Sequence, residues 1–481
     1  MKKILVFILA ATLLLSLCAC GSSSNTGADA EGDLTQALSG QGLMIGYSTM
    51  NITPQYSVPL GGYGNSSTRM SNGFLDYLYT TAMAISDGEN TVILIENDLA
   101  AAVSSVFGEV REAISEETGI PESNIMIAVD HVHSAPDLWN TAEGSIGQYT
   151  SELKKNMKKN ALAALENIKP ATFSYGADVV ENCSFVRHYV LEDGHVRGPN
   201  FGLQYNSPKI GHTHEPDRQM QVVKIEREGE KPIVLVNWQS HPQMATGSNY
   251  NSITSDTIGA MRDYVKQQEN CDFMYFLGAS GDVMAVSLID SDNVYQDHRA
   301  MGEAMGKGVC DILKDKMQSL ASGQVKSVHH VFAAEVDHSE DGKAPGATLV
   351  KDLWAKTNDF DACVELGAQY GINSPYHANG ILTKCGLEET GDVNMYAFAM
   401  GDLAFICAPY EMFCENGKYI KEHSPFAATV VMTMANGSHN YISSAEGFDY
   451  NCYEANTCRY VKGTGEALAE EYVNLLNQLK N

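Results

Sequence analysis

Two spacings of apolar residues take turns along this chain. Compact apolar, β-branched runs read as strands, and longer stretches with apolar positions three and four apart read as helices. Residues 91–95 form one such strand, ending at Glu96-Asn97-Asp98, and a helical stretch follows to about residue 117. Residues 124–129 are a second strand, and residues 232–238 a third that ends in Ser240-His241-Pro242. A helical segment at 256–268 leads to a strand at 273–277, which runs into Gly278-Ala279-Ser280-Gly281-Asp282. Further on, the pattern predicts a helix over 298–320, a strand over 328–336 and a hairpin over 395–407 turning at Gly401-Asp402. It then predicts a helix opened by Pro409 and carrying Glu411, and a last strand over 427–434. Residues 339–391 have the least regular pattern and read as an insertion. No repeat is detectable. Such alternation predicts an α/β fold with a mixed β-sheet flanked by helices.

The strand at 124–129 continues into Asp130-His131-Val132-His133-Ser134-Ala135-Pro136. Extended backbone carried past Val129 would put His131 and His133 on one face, because side chains alternate along a strand. Pro136 ends the strand and leaves both imidazoles at its C-terminal end, a usual place for chemistry in α/β sheets. The two rings either share a metal or divide into one ligand and one acid/base group. A surface pair in a loop is the plain alternative.

Composition narrows the setting. Met1-Lys2-Lys3 followed by apolar residues 4–17 is a secretory leader, too short for a membrane span. It closes on Leu17-Cys18-Ala19-Cys20, which resembles a bacterial lipoprotein box, so residues 1–19 are expected to be removed and Cys20 lipidated. Cys18 is the rival, but bulky Leu17 precedes it. Residues 20–42 form a polar tether without a core-forming pattern. The expected localisation is therefore extracytoplasmic, anchored to a bacterial membrane by lipid. With 59 acidic against 32 basic residues, the chain is not built to bind nucleic acid or to adhere to anionic lipid by charge. Nine cysteines follow Cys20 without a CxxC pair, which argues against a cysteine-rich zinc module. Cys452 and Cys458 are close enough in sequence to bridge.

Three strand ends deliver metal-capable residues: His131 with His133, His241, and Glu411. Tyr441 follows the final strand, with His439 as a competing donor nearby. Nitrogen, carboxylate and phenolate donors suit zinc better than calcium or magnesium. The same stretches belong to a longer series: Ile45-Gly46, Asn51-Ile52-Thr53-Pro54, Gly61-Gly62-Tyr63, the His131 run, and Val186-Arg187-His188-Tyr189 ahead of Glu192-Asp193-Gly194. It continues through residues 237–242 and 278–282, Ala408-Pro409-Tyr410-Glu411, Ala435-Asn436-Gly437, Asn440-Tyr441-Ile442 and Tyr453-Glu454. In that order, over nearly the whole mature chain, these motifs resemble the catalytic domain of the neutral (non-lysosomal) ceramidase family.

The resemblance implies a single large hydrolase domain over residues 43–481 and a mononuclear zinc site. It implies hydrolysis of an amide, or alternatively an ester, in an N-acyl lipid or related small molecule. Carried over position by position, it makes His131, His241, Glu411 and Tyr441 the metal ligands. His133 would stand beside the metal against substrate or water, and Arg187 and Tyr453 would polarise the substrate carbonyl. Zinc lowers the pKa of its water to roughly 7, and attack on an amide builds negative charge that these groups can oppose. Two departures bear on ceramide as the substrate. Met284 stands where the family has a serine, and the sequence given stops at Asn481, without the family's C-terminal β-sandwich.

Rival readings remain at this level. Gly278-Ala279-Ser280-Gly281-Asp282 nearly matches a nucleophile elbow, so a serine hydrolase using Ser280 is one alternative. A lipid-anchored binding protein without catalysis is another. His212 and His214 form a second His-x-His with no strand before them, read as an exposed loop off the metal. His329 and His330 sit next to each other in a strand and face opposite ways. Asp98, Asp256 and Asp282 read as caps or supports for the histidines, and Arg187 has a surface salt bridge as its plain alternative.

Overall fold

The computed structural model describes residues 42–63, 69–139, 144–198 and 207–481. The leader, Cys20 and the tether up to residue 41 lie outside the described residues. The two spacings are realised as two β-sheets packed face to face, each covered by helices on its outer side.

The larger sheet contains β1 (Met44–Asn51), β2 (Tyr79–Ser86), β3 (Thr91–Asn97), β4 (Ile125–Val129), β5 (Lys169–Val179), β6 (Gln219–Arg227), β7 (Ile233–Trp238) and β8 (Asp272–Leu277). Their order is β8-β7-β6-β5-β1-β2-β3-β4, with the short strand Gln318–Ser319 added beside β5. All neighbours are antiparallel except β3–β4 and β7–β8, so the sheet is mixed as expected. Each parallel pair needs a crossover, supplied by helix α1 (Ser104–Thr118) and helix α3 (Asp256–Glu269). Helices α2 (Gly144–Glu166) and α4 (His298–Asp315) complete the outer layer. The sheet coils until β8 comes against β3 and β4, which brings the ends of β4 and β7 together although they lie near opposite edges.

The smaller sheet has the order β9 (Val325–Glu335), β10 (Thr390–Met400), β11 (Leu403–Cys407) and β12 (Ala428–Met432). Strict alternation splits its residues between two cores. Tyr396, Phe398 and Met400 pack inward with Ile45, Leu94 and Leu235 of the larger sheet. Met395, Ala397 and Ala399 face outward to Leu468, Tyr472 and Leu475 of the last helix, α9 (Thr464–Lys480). Phe398 and Phe405, opposite each other in the β10–β11 hairpin, stack with centroids 4.5 Å apart. Gly401 makes the predicted turn with φ 78°. Helix α8 (Cys414–His423) carries the crossover from β11 to its parallel neighbour β12.

The irregular stretch after residue 339 is an insertion between β9 and β10, which pair along their full length. It forms helices α5 (Ala344–Thr357), α6 (Phe360–Ala368) and α7 (Pro375–Lys384) around a small core of Ala347, Val350, Cys363, Ile372, Ala378 and Ile381. Helix α7 starts with Pro375 in its first turn, and Ser374 caps it by accepting from His377 N. At its base, Lys384 Nζ lies 3.0 Å from Asp337, and Glu340 pairs with Lys343 at 2.7 Å and His377 at 3.0 Å. Gly380 lets α7 reach the one-turn helix Tyr453–Thr457, since a Cβ there would meet Asn456 O at 2.1 Å.

Three local expectations differ from the structure. Pro409 does not open a helix. Glu411 lies in a two-residue parallel ladder with Tyr441, and α8 begins only at Cys414. The helix expected to 320 stops at Asp315, because the chain turns to pair Gln318–Ser319 with β5. His212 ends a short strand, Lys209–His212, rather than lying in an open loop.

Candidate metal centre

β4 does not extend to the histidines. It ends at Val129, and His131 takes φ 63°, a left-handed turn that few non-glycine residues adopt. The two rings therefore converge through a turn rather than through strand alternation. Gly62, at φ 105°, makes room for His133, because a Cβ there would lie 2.5 Å from the imidazole Cγ. Tyr63 meets the same ring edge-on at 5.0 Å. The Gly61-Gly62-Tyr63 motif thus shapes the pocket of one imidazole.

His131 Nδ1–H donates to Ala100 O at 2.6 Å, and His241 Nδ1–H donates to Val283 O at 2.8 Å. Backbone carbonyls so placed fix the tautomers and leave both Nε2 atoms as lone-pair donors. Glu411 Oε2 lies 3.0 Å from His241 Nε2 and 3.4 Å from His131 Nε2. His133 Nε2 is 3.3 Å from His131 Nε2, while His133 Nδ1 is buried without a partner. The ring nitrogens of His131, His133 and His241 all fall within 4.8 Å of one another. Tetrahedral ligands about 2.0–2.1 Å from zinc stand roughly 3.3–3.4 Å apart. The Glu411 oxygen stands at about that distance from both Nε2 atoms, and lone pairs facing each other need a cation between them. The donor set fits a metal ion.

The electrostatics agree. Burial would raise Glu411, but His131 and His241 outweigh it and hold the carboxylate well below its usual range. Burial, then His131 and His241, push His133 well down, and burial likewise lowers His241. His241 is therefore neutral, as a ligand must be, and so is His133 beside it.

Tyr441 faces Glu411 across their ladder and lines the same cavity. The Arg187 guanidinium lies 5.2 Å from its ring centre. Arg187 is not a surface arginine. It is 5% exposed, its Nε bonds Glu454 Oε1 at 2.5 Å, and its Nη2 is buried and unpartnered. His188 holds the other Glu454 oxygen at 2.9 Å. Glu454 is the residue the sequence reasoning did not single out. Its place after Tyr453 in the motif series was the available signal. Tyr453 begins its short helix and packs against Tyr441 at 5.5 Å and Tyr376 at 5.4 Å.

These groups open into a cavity of about 270 Å³. Its floor is His131, His133, Glu411, Tyr441 and Tyr453, and Trp139 stands at one side. The insertion also lines it, through Tyr376, Asn379 and Thr383 of α7. No sequence signal marked these three, since they lie in the segment with the weakest pattern.

The other expectations are placed as follows. Ser280 is buried in a turn followed by the strand Val283–Met284, not by the helix of a nucleophile elbow. Asp98 binds Arg262 rather than a histidine, at 2.8 Å. Asp256 accepts from Ala245 N at 2.7 Å and steadies the loop after His241. Asp282 caps α8 through Cys414 N at 2.7 Å. His329 stacks on Tyr396 and His330 points to Glu471, so the two do face apart. Cys452 and Cys458, like the other cysteines among the described residues, are free thiols.

The coiled mixed sheet packed on a smaller one is a ceramidase-like fold. Two solved structures share it: a ceramidase complexed with C2, at TM-score 0.68, and the neutral ceramidase from Pseudomonas aeruginosa, at 0.67. Each is 15% identical, and each alignment covers 91% of this chain and 75% of the other. No protein-family model matches the sequence.

Proposed function

We propose that the protein is a zinc-dependent amidohydrolase, held outside the cytoplasm by lipid on Cys20, that cleaves an N-acyl lipid or a related small amide. The observation that carries this reading is the convergence of His131 Nε2, His241 Nε2 and Glu411 Oε2 at 3.0–3.4 Å, with both Nδ1 protons committed to backbone carbonyls. His131, His241, Glu411 and Tyr441 would hold the ion. Bound zinc supplies Lewis acidity toward water or an acyl oxygen.

The chain's own residues do the rest. His133, which lines the cavity and turns its Nε2 to within 3.3 Å of His131 Nε2, accepts a proton from the attacking water and returns it to the departing amine. Arg187 and Tyr453 oppose the negative charge that grows on the carbonyl oxygen. Glu454 keeps Arg187 in place through one fixed hydrogen bond, leaving Nη2 for that task. The rings of Trp139 and Tyr376 flank the cavity and suit an acyl chain, while Asn379 and Thr383 offer hydrogen bonds to a polar head. The likeness in fold to two ceramidases supports a lipid amide. Met284, paired beside His241 where that family carries serine, supports a substrate preference different from theirs.

The test is a screen of N-acyl amides with the purified protein before and after chelation. Hydrolysis abolished by the chelator and restored by zinc is the expected outcome. Full activity in metal-stripped protein overturns the reading. For the anchor, labelled fatty acid should enter the wild type and not Cys20→Ser. Label lost from Cys18→Ser instead would move the site.

A further inference from the structure

We propose that the protein holds a second transition-metal ion, of the zinc class, at His214, Asp282 and Cys414. The three residues come from distant parts of the chain and share no ligand with the first site. His214 Nε2 lies 3.3 Å from Asp282 Oδ2 and 3.6 Å from Cys414 Sγ, and the thiol is 3.4 Å from the same Asp282 oxygen. With zinc–sulfur bonds of about 2.3 Å and zinc–nitrogen or zinc–oxygen bonds of about 2.0–2.1 Å, tetrahedral ligands stand roughly 3.3–3.6 Å apart. All three distances match. A thiolate, an imidazole and a carboxylate together select a borderline-soft divalent ion over calcium or magnesium.

The atoms behind the ligands are arranged to aim them. Asp282 Oδ1 accepts the Cys414 backbone N–H at 2.7 Å, leaving Oδ2 for the ion. His214 Nδ1 is hydrogen-bonded with Thr213 Oγ1 at 3.1 Å, leaving Nε2. Such outer contacts are usual for metal ligands. The local charge also calls for a cation. Glu415 and Glu446 bring carboxylates within 4.8 Å of a His214 nitrogen and of each other, and Glu466 adds a further acidic neighbour. Against them stand His214 itself, with His188 acting on Asp282 and Lys418 on the wall of the adjoining pocket. Burial, then Asp282 and Glu415, hold the Cys414 thiol well above its ordinary range, so the metal-free thiol is no nucleophile.

An ion has a way in and a fourth position. A surface pocket of about 250 Å³ is bordered by Cys414 and Glu415, and Glu446 is exposed. Glu415, Glu446 or water would complete the shell. On binding, the Cys414 thiol proton leaves to solvent and the sulfur donates its electron pair to the ion, with no change of oxidation state. The site would brace the catalytic floor, because Asp282 O accepts from Arg187 N at 2.9 Å and Val283 O orients His241. The alternative is a hydrogen-bonded triad, with the thiol donating to Asp282 and an imidazolium paired to it.

Cobalt(II) separates the two. Metal-stripped protein is titrated with cobalt(II), and absorbance is read in the near ultraviolet, where only a thiolate ligand gives a charge-transfer band. The proposal expects two equivalents, one of them with that band. Cys414→Ser should lose the band and one equivalent, His214→Gln should weaken binding of the same equivalent, and Cys452→Ser should change neither. His241→Ala should keep the band and lose the other equivalent, so failure at the first centre is read separately. A wild type without the band, or a band that survives in Cys414→Ser, overturns the second site. So does full retention of that equivalent in a folded His214→Gln.

Discussion

One peptide bond separates two buried polar clusters of opposite character. Asp130 belongs to the first, with Glu96 and Asp98 around Arg262. His131 belongs to the second, with His133, His241 and Glu411. Both are buried, although the second borders the cavity. In the acidic cluster the chain supplies its own cation: Arg262 Nη1 spans both Asp98 oxygens at 2.8 and 2.9 Å, and its Nη2 donates to Ser255 Oγ at 2.9 Å. Burial, then the neighbouring acids, hold Glu96 and Asp130 well above the usual carboxylate range, so the surplus charge is removed by protons. Among the described residues, no cationic side chain pairs with the histidine cluster. The nearest, Arg187, is already paired with Glu454. Equal burial thus gives a closed structural joint in one place and a receptive centre in the other. The difference lies in who supplies the positive charge.

The largest expected effect tests the receptive side. His241→Ala should lose the first metal and take hydrolysis to background, measured by metal content and turnover on the same sample. Activity retained without that metal would erase the distinction between the clusters. Next comes His133→Ala. It should keep the metal and lose about 10²–10⁴-fold in rate, the usual worth of one acid/base group. Equal metal loss in this variant would make His133 a ligand, a role its closeness to His131 allows.

The closed side is tested by Arg262→Met, which strands Asp98 without its partner. A loss of about 3–5 kcal/mol in unfolding free energy is expected, with metal content unchanged. Glu96→Gln should do the reverse. A carboxyl raised in the folded state stabilises fully below its unfolded pKa, near 4, and that benefit fades as pH rises through the folded value. The glutamine variant should therefore be more stable than wild type at pH 8, with the gap closing toward pH 4.

The smallest effect concerns Glu340 at the base of the insertion, a looser network than either cluster. Burial opposes its charge, but hydrogen bonds from His377 and Lys343 and their charges prevail and bring it to about 2. A lowered carboxylate contributes fully above its unfolded pKa and is lost as pH falls toward the folded value. Glu340→Gln should cost on the order of 1 kcal/mol at neutral pH, and the difference should vanish between about pH 4.5 and pH 2.

Where the apolar pattern was strict, it was readable. The alternation of residues 395–407 predicts the hairpin at its correct turn, and the runs ending near Val129 and Trp238 predict the strands that deliver His131 and His241. Four features escaped. Two residues of ladder at Glu411 are too few to register as a strand, and Pro409 mimicked a helix start. The turn at His131 is a tertiary effect, set by what Ala100 and Gly62 require of the ring. Helices α5–α7 enclose a core of only six residues, two of them Ala and one Cys, too few to leave more than a faint period. That faintness hid Tyr376, Asn379 and Thr383, and with them one wall of the cavity. Glu454 escaped because burial cannot be read from a polar residue in a polar context.

Glu335 and Thr390 face each other across the β9–β10 ladder, so the whole insertion leaves and re-enters the sheet at one step. It is a graft on a hairpin. Exchanging it for a longer or shorter segment leaves the strand register in place, yet redraws part of the cavity lining. The histidine cluster and this part of the cavity lining are therefore written in separate stretches of the chain, so the sequence of one can vary without rewriting the other.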